Sequence, residues 1–155
     1  MFLKIAIGSD HHGVAIRIKI AETLHREGHD VVEYGPPIDN RDAVDYPDVA
    51  ADVADLVCNG NVDRGILICG TGIGMCITAN KFAGVRSAPI IDELQAELSR
   101  RHNDLNVLCL SAEMLSEDMI FRIIDIWIKT PFDGGRHEKR IEKIEKIENE
   151  LGICG

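Results

Sequence analysis

Hydrophobic residues follow two alternating rhythms along this chain. Short, largely apolar runs at 4–8, 30–34, 65–69, 86–90 and 106–110 predict strands, the third of them apolar enough to be covered on both faces. Between them, apolar positions return at helical spacing, as at Ile16, Ile20 and Leu24, and predict helices over 14–26, 45–58, 74–81, 92–101 and 116–129. Local signals agree. Gly28 stands just past the first helix, Pro47 falls in the first turn of the second, and Ser116 is placed to cap the fifth, with Met119 where a full capping box would have an acid or amide. Strands and helices in strict turn require parallel strands joined by right-handed crossovers. The predicted class is α/β: a doubly wound, Rossmann-like three-layer sandwich on a five-stranded parallel sheet in flavodoxin-type order, taking ligands at the strands' carboxyl ends. After a turn at 131–135, residues 136–151 read as an extra C-terminal helix with Ile141, Ile144, Ile147 and Leu151 along one stripe. That stripe needs a surface, on its own domain or on a second subunit.

The 155 residues suit one domain with a single substantial core. A hydrophobic fraction of 45% and a charged fraction of 28% are those of a soluble globular protein. The formal charge of -9 opposes binding to a phosphate backbone, so nucleic acid is not the expected partner and any anionic ligand must meet a local basic cluster. No apolar run approaches a bilayer span, and the first residues lack the parts of a secretory signal, so the expected location is the cytoplasm. Cysteines 58, 69, 76, 109 and 154 are odd in number and include no C-x-x-C pair, which disfavours a disulfide framework and a zinc site alike.

The stretch most suited to chemistry is Ile66 to Met75, where an apolar strand ends in Cys69 and breaks into Gly70-Thr71-Gly72-Ile73-Gly74 before a helix. Backbone amides exposed by such a turn can hold an anion and favour a thiolate beside it, although a buried cysteine at a strand end is often only a small hydrophobe. A dinucleotide site fits poorly: Met75 stands where the third glycine belongs, the loop follows the third strand, and only Asp92 matches the ribose-binding acid in spacing. Asp10 and His11 end the first strand and should point into the same crevice, unless Asp10 caps the next helix; His12 is expected at the surface. His102 and Asn103 close the fourth helix, where a histidine and a left-handed asparagine are also ordinary terminal residues. Arg136 and Arg140 share one face of the first turn of the last helix, a placement that costs about 0.5 to 1.5 kcal/mol against the helix dipole and their mutual repulsion unless an anion, or Glu138 and Glu142, relieves it.

Taken together, GSDHHG, VDYPD, ILICGTGIGM with ANKFAGVR, RRHNDLNVL and PFDGGRHEKR, in that order from Ile5 to about Ile144, resemble the type B ribose-5-phosphate isomerases and the related galactose-6-phosphate isomerase subunits. The resemblance implies a metal-free, cofactor-free aldose-ketose isomerase of a sugar phosphate, working through an enediolate. It implies a homodimer, or a dimer of dimers, with active sites at the subunit interface and no membrane partner. It makes Cys69 the base, with Thr71 beside it, and gives ring opening to His102, with His137 as second candidate. It assigns sugar hydroxyls to Asp10, His11 and Tyr46, enediolate stabilisation to the amides of Gly70, Thr71, Gly72, Ile73 and Gly74 with Asn103, and the phosphate to Arg136 and Arg140.

One departure bears on the substrate. The family pattern has an arginine, often a phosphate ligand, where Ser111-Ala112-Glu113-Met114 carries Glu113. A carboxylate there would repel a dianion, so Glu113 is expected either to turn away or to meet hydroxyls of another sugar phosphate. Ribose 5-phosphate is the expected substrate; a hexose 6-phosphate, a binding module without turnover and an inert subunit of a hetero-oligomer are the other readings.

Overall fold

The computed structural model describes residues 1–152, so Cys154 lies outside the described residues. Its elements run β1 (Lys4–Ser9), α1 (Val14–Arg26), β2 (Asp30–Tyr34), α2 (Tyr46–Cys58), β3 (Arg64–Cys69), α3 (Ile73–Ala79), β4 (Ser87–Pro89), α4 (Glu93–Asn103), β5 (Val107–Ser111), α5 (Glu117–Lys129) and α6 (Arg136–Glu150). Each element expected from hydrophobic spacing is present, with ends moved by three residues or fewer. The Ser116 hydroxyl caps α5 by accepting from Met119 N at 3.2 Å. Asp92, the residue with ribose-acid spacing, instead caps α4 by accepting from Gln95 N at 2.7 Å.

All strand pairs are parallel, in the order β2-β1-β3-β5-β4. This corrects the flavodoxin-type order in one respect: β5, not β4, lies beside β3. The reason is compositional. The five residues of β5 are all buried, whereas β4 is three residues, Ser-Ala-Pro, partly exposed and ending in a proline that suits an edge strand.

Successive side chains on a strand point to opposite faces, and the core divides accordingly. Ile5, Ile7, Ile66, Ile68, Leu108 and Leu110 pack under α1, α4 and α5, while Ala6, Leu67, Cys69, Val107 and Cys109 pack under α2 and α3. The chain leaves β1 toward β2 on one side and returns to β3 on the other, so the crevice of a doubly wound sheet opens between the carboxyl ends of β1 and β3. Asp10 N donates to Ile68 O there at 3.2 Å.

A buried guanidinium braces this edge. Arg17 donates to Ser9 Oγ (3.0 Å), Tyr34 O (3.1 Å) and Pro36 O (2.8 Å) and pairs with Glu33 at 3.2 Å, tying the ends of β1 and β2 to the loop that follows. The stripe on α6 is covered only at its start: Ile141 is buried, but Ile144, Ile147 and Leu151 are exposed. No helix among the described residues is long and apolar enough to cross a membrane.

Candidate active site

Cys69 ends β3 facing α2 and α3, with 5% of its surface exposed. The chain then turns through Gly72, whose φ of +79° lies in the left-handed region that a side chain disfavours, and enters α3. Gly74 is required for a different reason: a Cβ there would lie 2.5 Å from Cζ of Tyr46, so only a bare backbone lets that ring rest on the loop. The row of free amides expected from sequence is partly engaged. Gly72 N donates to Cys69 Sγ at 3.1 Å, and Ile73 N donates to Thr71 Oγ1 at 3.3 Å. The loop thus aims one donor directly at the sulfur.

Across the crevice, Asp10 is buried, and it does not cap α1, whose N-cap is Gly13. One carboxylate oxygen accepts from His12 N at 2.9 Å, and the other lies 3.3 Å from His12 Nδ1. His11 Nδ1 accepts from Val44 N at 3.1 Å, so its ring proton is on Nε2, and it anchors the loop before Tyr46. His12 is exposed, as expected, yet it is not idle: its Nε2 lies 3.4 Å from Glu113 Oε1. Glu113 has not turned away. A Cβ on Gly70 would lie 3.2 Å from its carboxyl carbon, which puts the carboxylate directly over the glycine loop. Ser111 positions this turn by donating to Gly70 O and accepting from Met114 N. The link from Asp10 through His12 to Glu113 was missed at the sequence level, because nothing in local spacing joins the ends of β1 and β5.

The remaining candidates form a second cluster. The His102 and His137 rings stack with centroids 4.3 Å apart and planes within 8°. Arg101 holds Asp133 at 3.1 Å, and Asp133 N donates to Arg101 O, which fastens the turn before α6 against the end of α4. Arg136 Nε approaches His137 Nε2 at 3.5 Å. Burial first, then the charges of His102, Arg136 and Arg140, hold the His137 imidazole below its usual pKa range. Among the described residues neither Arg136 nor Arg140 pairs with a carboxylate, although Glu138 stands in the same first turn, where it offsets the helix dipole. The left-handed residue closing α4 is Asp104, with φ +46°, not Asn103.

These two clusters are not brought together within one chain. Helix α4 descends from the carboxyl edge of the sheet, so His102 and Asn103 lie at the amino edge, just before β5 begins beside Gly65. Cys69 is at the other end of β3, about 15 Å away at the usual rise per residue.

Asp10, His11 and His12, and likewise His102, Asp133 and His137, have ligand-type atoms within 4.8 Å of one another. Neither trio suits a cation. In the first, His11 and Asp10 already spend ligand atoms on Val44 N and on His12; in the second, Asp133 is paired with Arg101 beside two more guanidinium groups.

The chain matches the Ribose/Galactose Isomerase family model over residues 5–144. It is 43% identical over 145 residues to ribose-5-phosphate isomerase B of Escherichia coli, covering 94% of this chain and 96% of that protein. It is 36% identical over 148 residues to D-erythrulose-4-phosphate isomerase of Pectobacterium atrosepticum, covering 96% and 97%. Among solved structures, ribose-5-phosphate isomerase B of Mycoplasma genitalium with bound ribulose-5-phosphate superposes with a TM-score of 0.90 at 44% identity, covering 96% of this chain and 97% of that one. With its matched span running through both clusters, this chain belongs to the ribose/galactose isomerase family.

Proposed function

We propose that this protein interconverts ribose 5-phosphate and ribulose 5-phosphate, and that each active site joins the carboxyl edge of one copy to the amino edge of another. Cys69 Sγ takes the proton from C2 of the open-chain aldose and returns it to C1, while the neighbouring oxygens exchange their proton, so the sulfur ends in its starting state. The charge on the enediolate oxygen falls to the loop amides of Gly70 to Gly74, with Thr71 beside them and Asn103 of the second copy; one such donor is commonly worth about 3 kcal/mol. Asp10, His11 and Tyr46 hold hydroxyls. From the second copy, His102 transfers the proton that opens the ring, with His137 stacked against it, and Arg136 and Arg140 bind the phosphate. No metal or cofactor is needed for a proton transfer of this kind.

The observation that carries the reading is a sulfur at the switch-point crevice receiving a loop N–H, with unpaired guanidinium groups at the opposite edge. A homodimer follows from that division. Its seat is supported by the exposed Ile91, Leu94 and Ile144 lining a groove of about 740 Å³ between α4 and α6, an apolar face unlike an ordinary monomer surface. Cysteines 58, 69, 76 and 109 as free thiols suit the cytoplasm.

Glu113 favours a second reading, a sugar phosphate of different length whose hydroxyls meet the carboxylate over Gly70. Isomerisation assays on tetrose 4-, pentose 5- and hexose 6-phosphates, with proton exchange at C2 followed in heavy water, decide between them. Turnover fastest on ribose 5-phosphate is the expected result. Faster turnover of another length selects the second reading, and tight binding with no exchange on any of them overturns both.

A further inference from the structure

Two thiols outside the reaction lie under the catalytic loop. Cys109, in the middle of β5, is fully buried, and Cys76, one turn into α3, is half-buried. Ser87 touches both: its Oγ lies 3.1 Å from Cys109 Sγ, and its carbonyl accepts from Cys76 Sγ at 3.4 Å. The Cys109 thiol is also the chief influence lowering the pKa of Cys76. Asn80 Nδ2 lies 3.4 Å from Cys76 Sγ. Cys76 is tied to the loop, since its N–H donates to Gly72 O at 3.2 Å and Gly72 N donates to Cys69 Sγ.

We infer that Cys76 and Cys109 form an oxidation site that a small hydroperoxide converts to an intramolecular disulfide, displacing the amide loop beside Cys69. The Cys76 thiolate attacks one peroxide oxygen and the O–O bond breaks, leaving a sulfenic acid on Cys76 and releasing water or an alcohol once the leaving oxygen is protonated. The Cys109 sulfur then attacks Cys76 Sγ, its proton leaves with the sulfenic oxygen as water, and the S–S bond forms. Two thiols lose two electrons, and one peroxide gains them. The roles follow from position: Cys76 is the reachable sulfur and Cys109 the enclosed resolving one. Their acidities agree. Cys109 lowers the Cys76 thiol to about 6, while burial raises Cys109 well above the ordinary range. A disulfide needs its sulfurs about 2 Å apart, closer than two free thiols can stand, so the first turn of α3 must shift toward β5 and take Gly72 with it.

The test is treatment of the purified, intact protein at neutral pH with equimolar hydrogen peroxide, followed by alkylation, peptide mass mapping and activity measurement. The expected result is a peptide pair linked through Cys76 and Cys109, with fragmentation separating Cys76 from Cys69 on the same tryptic peptide. Activity falls several-fold and returns with a dithiol reductant. Cys109→Ala, which also removes the group that lowers the Cys76 pKa, should leave a sulfenic acid on Cys76 that forms more slowly and that dimedone captures, and Cys76→Ser should leave no linkage. Oxidation confined to Cys69 or Cys58, or a Cys69–Cys109 linkage, overturns the site. A Cys76–Cys109 linkage with activity unchanged overturns its coupling to the loop. The mapping is read from mass alone, so it stands or fails independently of which sugar phosphate is turned over.

Discussion

At the carboxyl edge of the sheet the candidate groups are a sulfur and backbone amides fixed by β3 and its turn, whereas at the amino edge they are imidazole and guanidinium side chains held by the ends of α4 and α6. The first edge is enclosed and set by main-chain geometry; the second is open, cationic and short of counter-charge. Main-chain donors do not reorient as charge develops, which suits the site of proton transfer. Long cationic side chains on an exposed helix turn suit capture of a dianion, where reach matters more than rigidity. A single chain carries both clusters but turns them away from each other, and the proposed site therefore needs a second copy to complete it.

This contrast can be broken edge by edge. The largest effect should come from the enclosed edge: Cys69→Ala is expected to lower kcat by about 1000-fold while KM moves little, as for loss of a general base. Steady-state kinetics, with proton exchange at C2, check it; retained exchange removes the sulfur from the reaction. At the cationic edge, Arg140→Ala should act mainly on KM and lower kcat/KM by about 10- to 100-fold, the range for one lost charged hydrogen bond. A fall in kcat alone would place this guanidinium on the enediolate, not the phosphate.

Glu113→Gln sharpens the comparison, because Glu113 is an acid on an anion-collecting loop. Neutralising it should lower KM for ribose 5-phosphate by about 2- to 5-fold, as expected of a partly exposed charge, while a rise in KM would mean that the carboxylate binds substrate hydroxyls. The smallest effect concerns His137. Its folded-state pKa is depressed below 6.5, so the neutral ring is the form the fold prefers; the stability it adds is present above 6.5 and is lost as pH falls below that value. Inorganic phosphate held by Arg136 and Arg140 should raise this pKa in an NMR titration, and no response would separate His137 from the anion site.

The elements are legible in the sequence because hydrophobic spacing is local: it predicts β2 over 30–34 and α1 over 14–26, the bounds they have. The order of the last two strands was not, since which strand takes the interior is decided by packing across the sheet. The Cys69 loop was also legible, as glycines after a buried strand announce close backbone approach. What could not be read was where loops from distant strands meet. His12 and Glu113 are more than a hundred residues apart, yet they touch, and that contact turned an expected surface histidine into part of the crevice wall. The separation of His102 from Cys69 follows from topology once α4 is known to run back toward the amino edge.

The central claim, that the sulfur and the guanidinium groups of one site come from different copies, is tested most directly by mixing. Cys69→Ala and Arg140→Ala proteins, each weakly active alone, are combined under conditions where a mass-resolved tag reports subunit exchange. With random pairing half of the dimers are mixed and each has one intact site, so activity should recover to about a quarter of the wild-type value. Exchange with no recovery would place both groups of a site on the same chain and contradict the account.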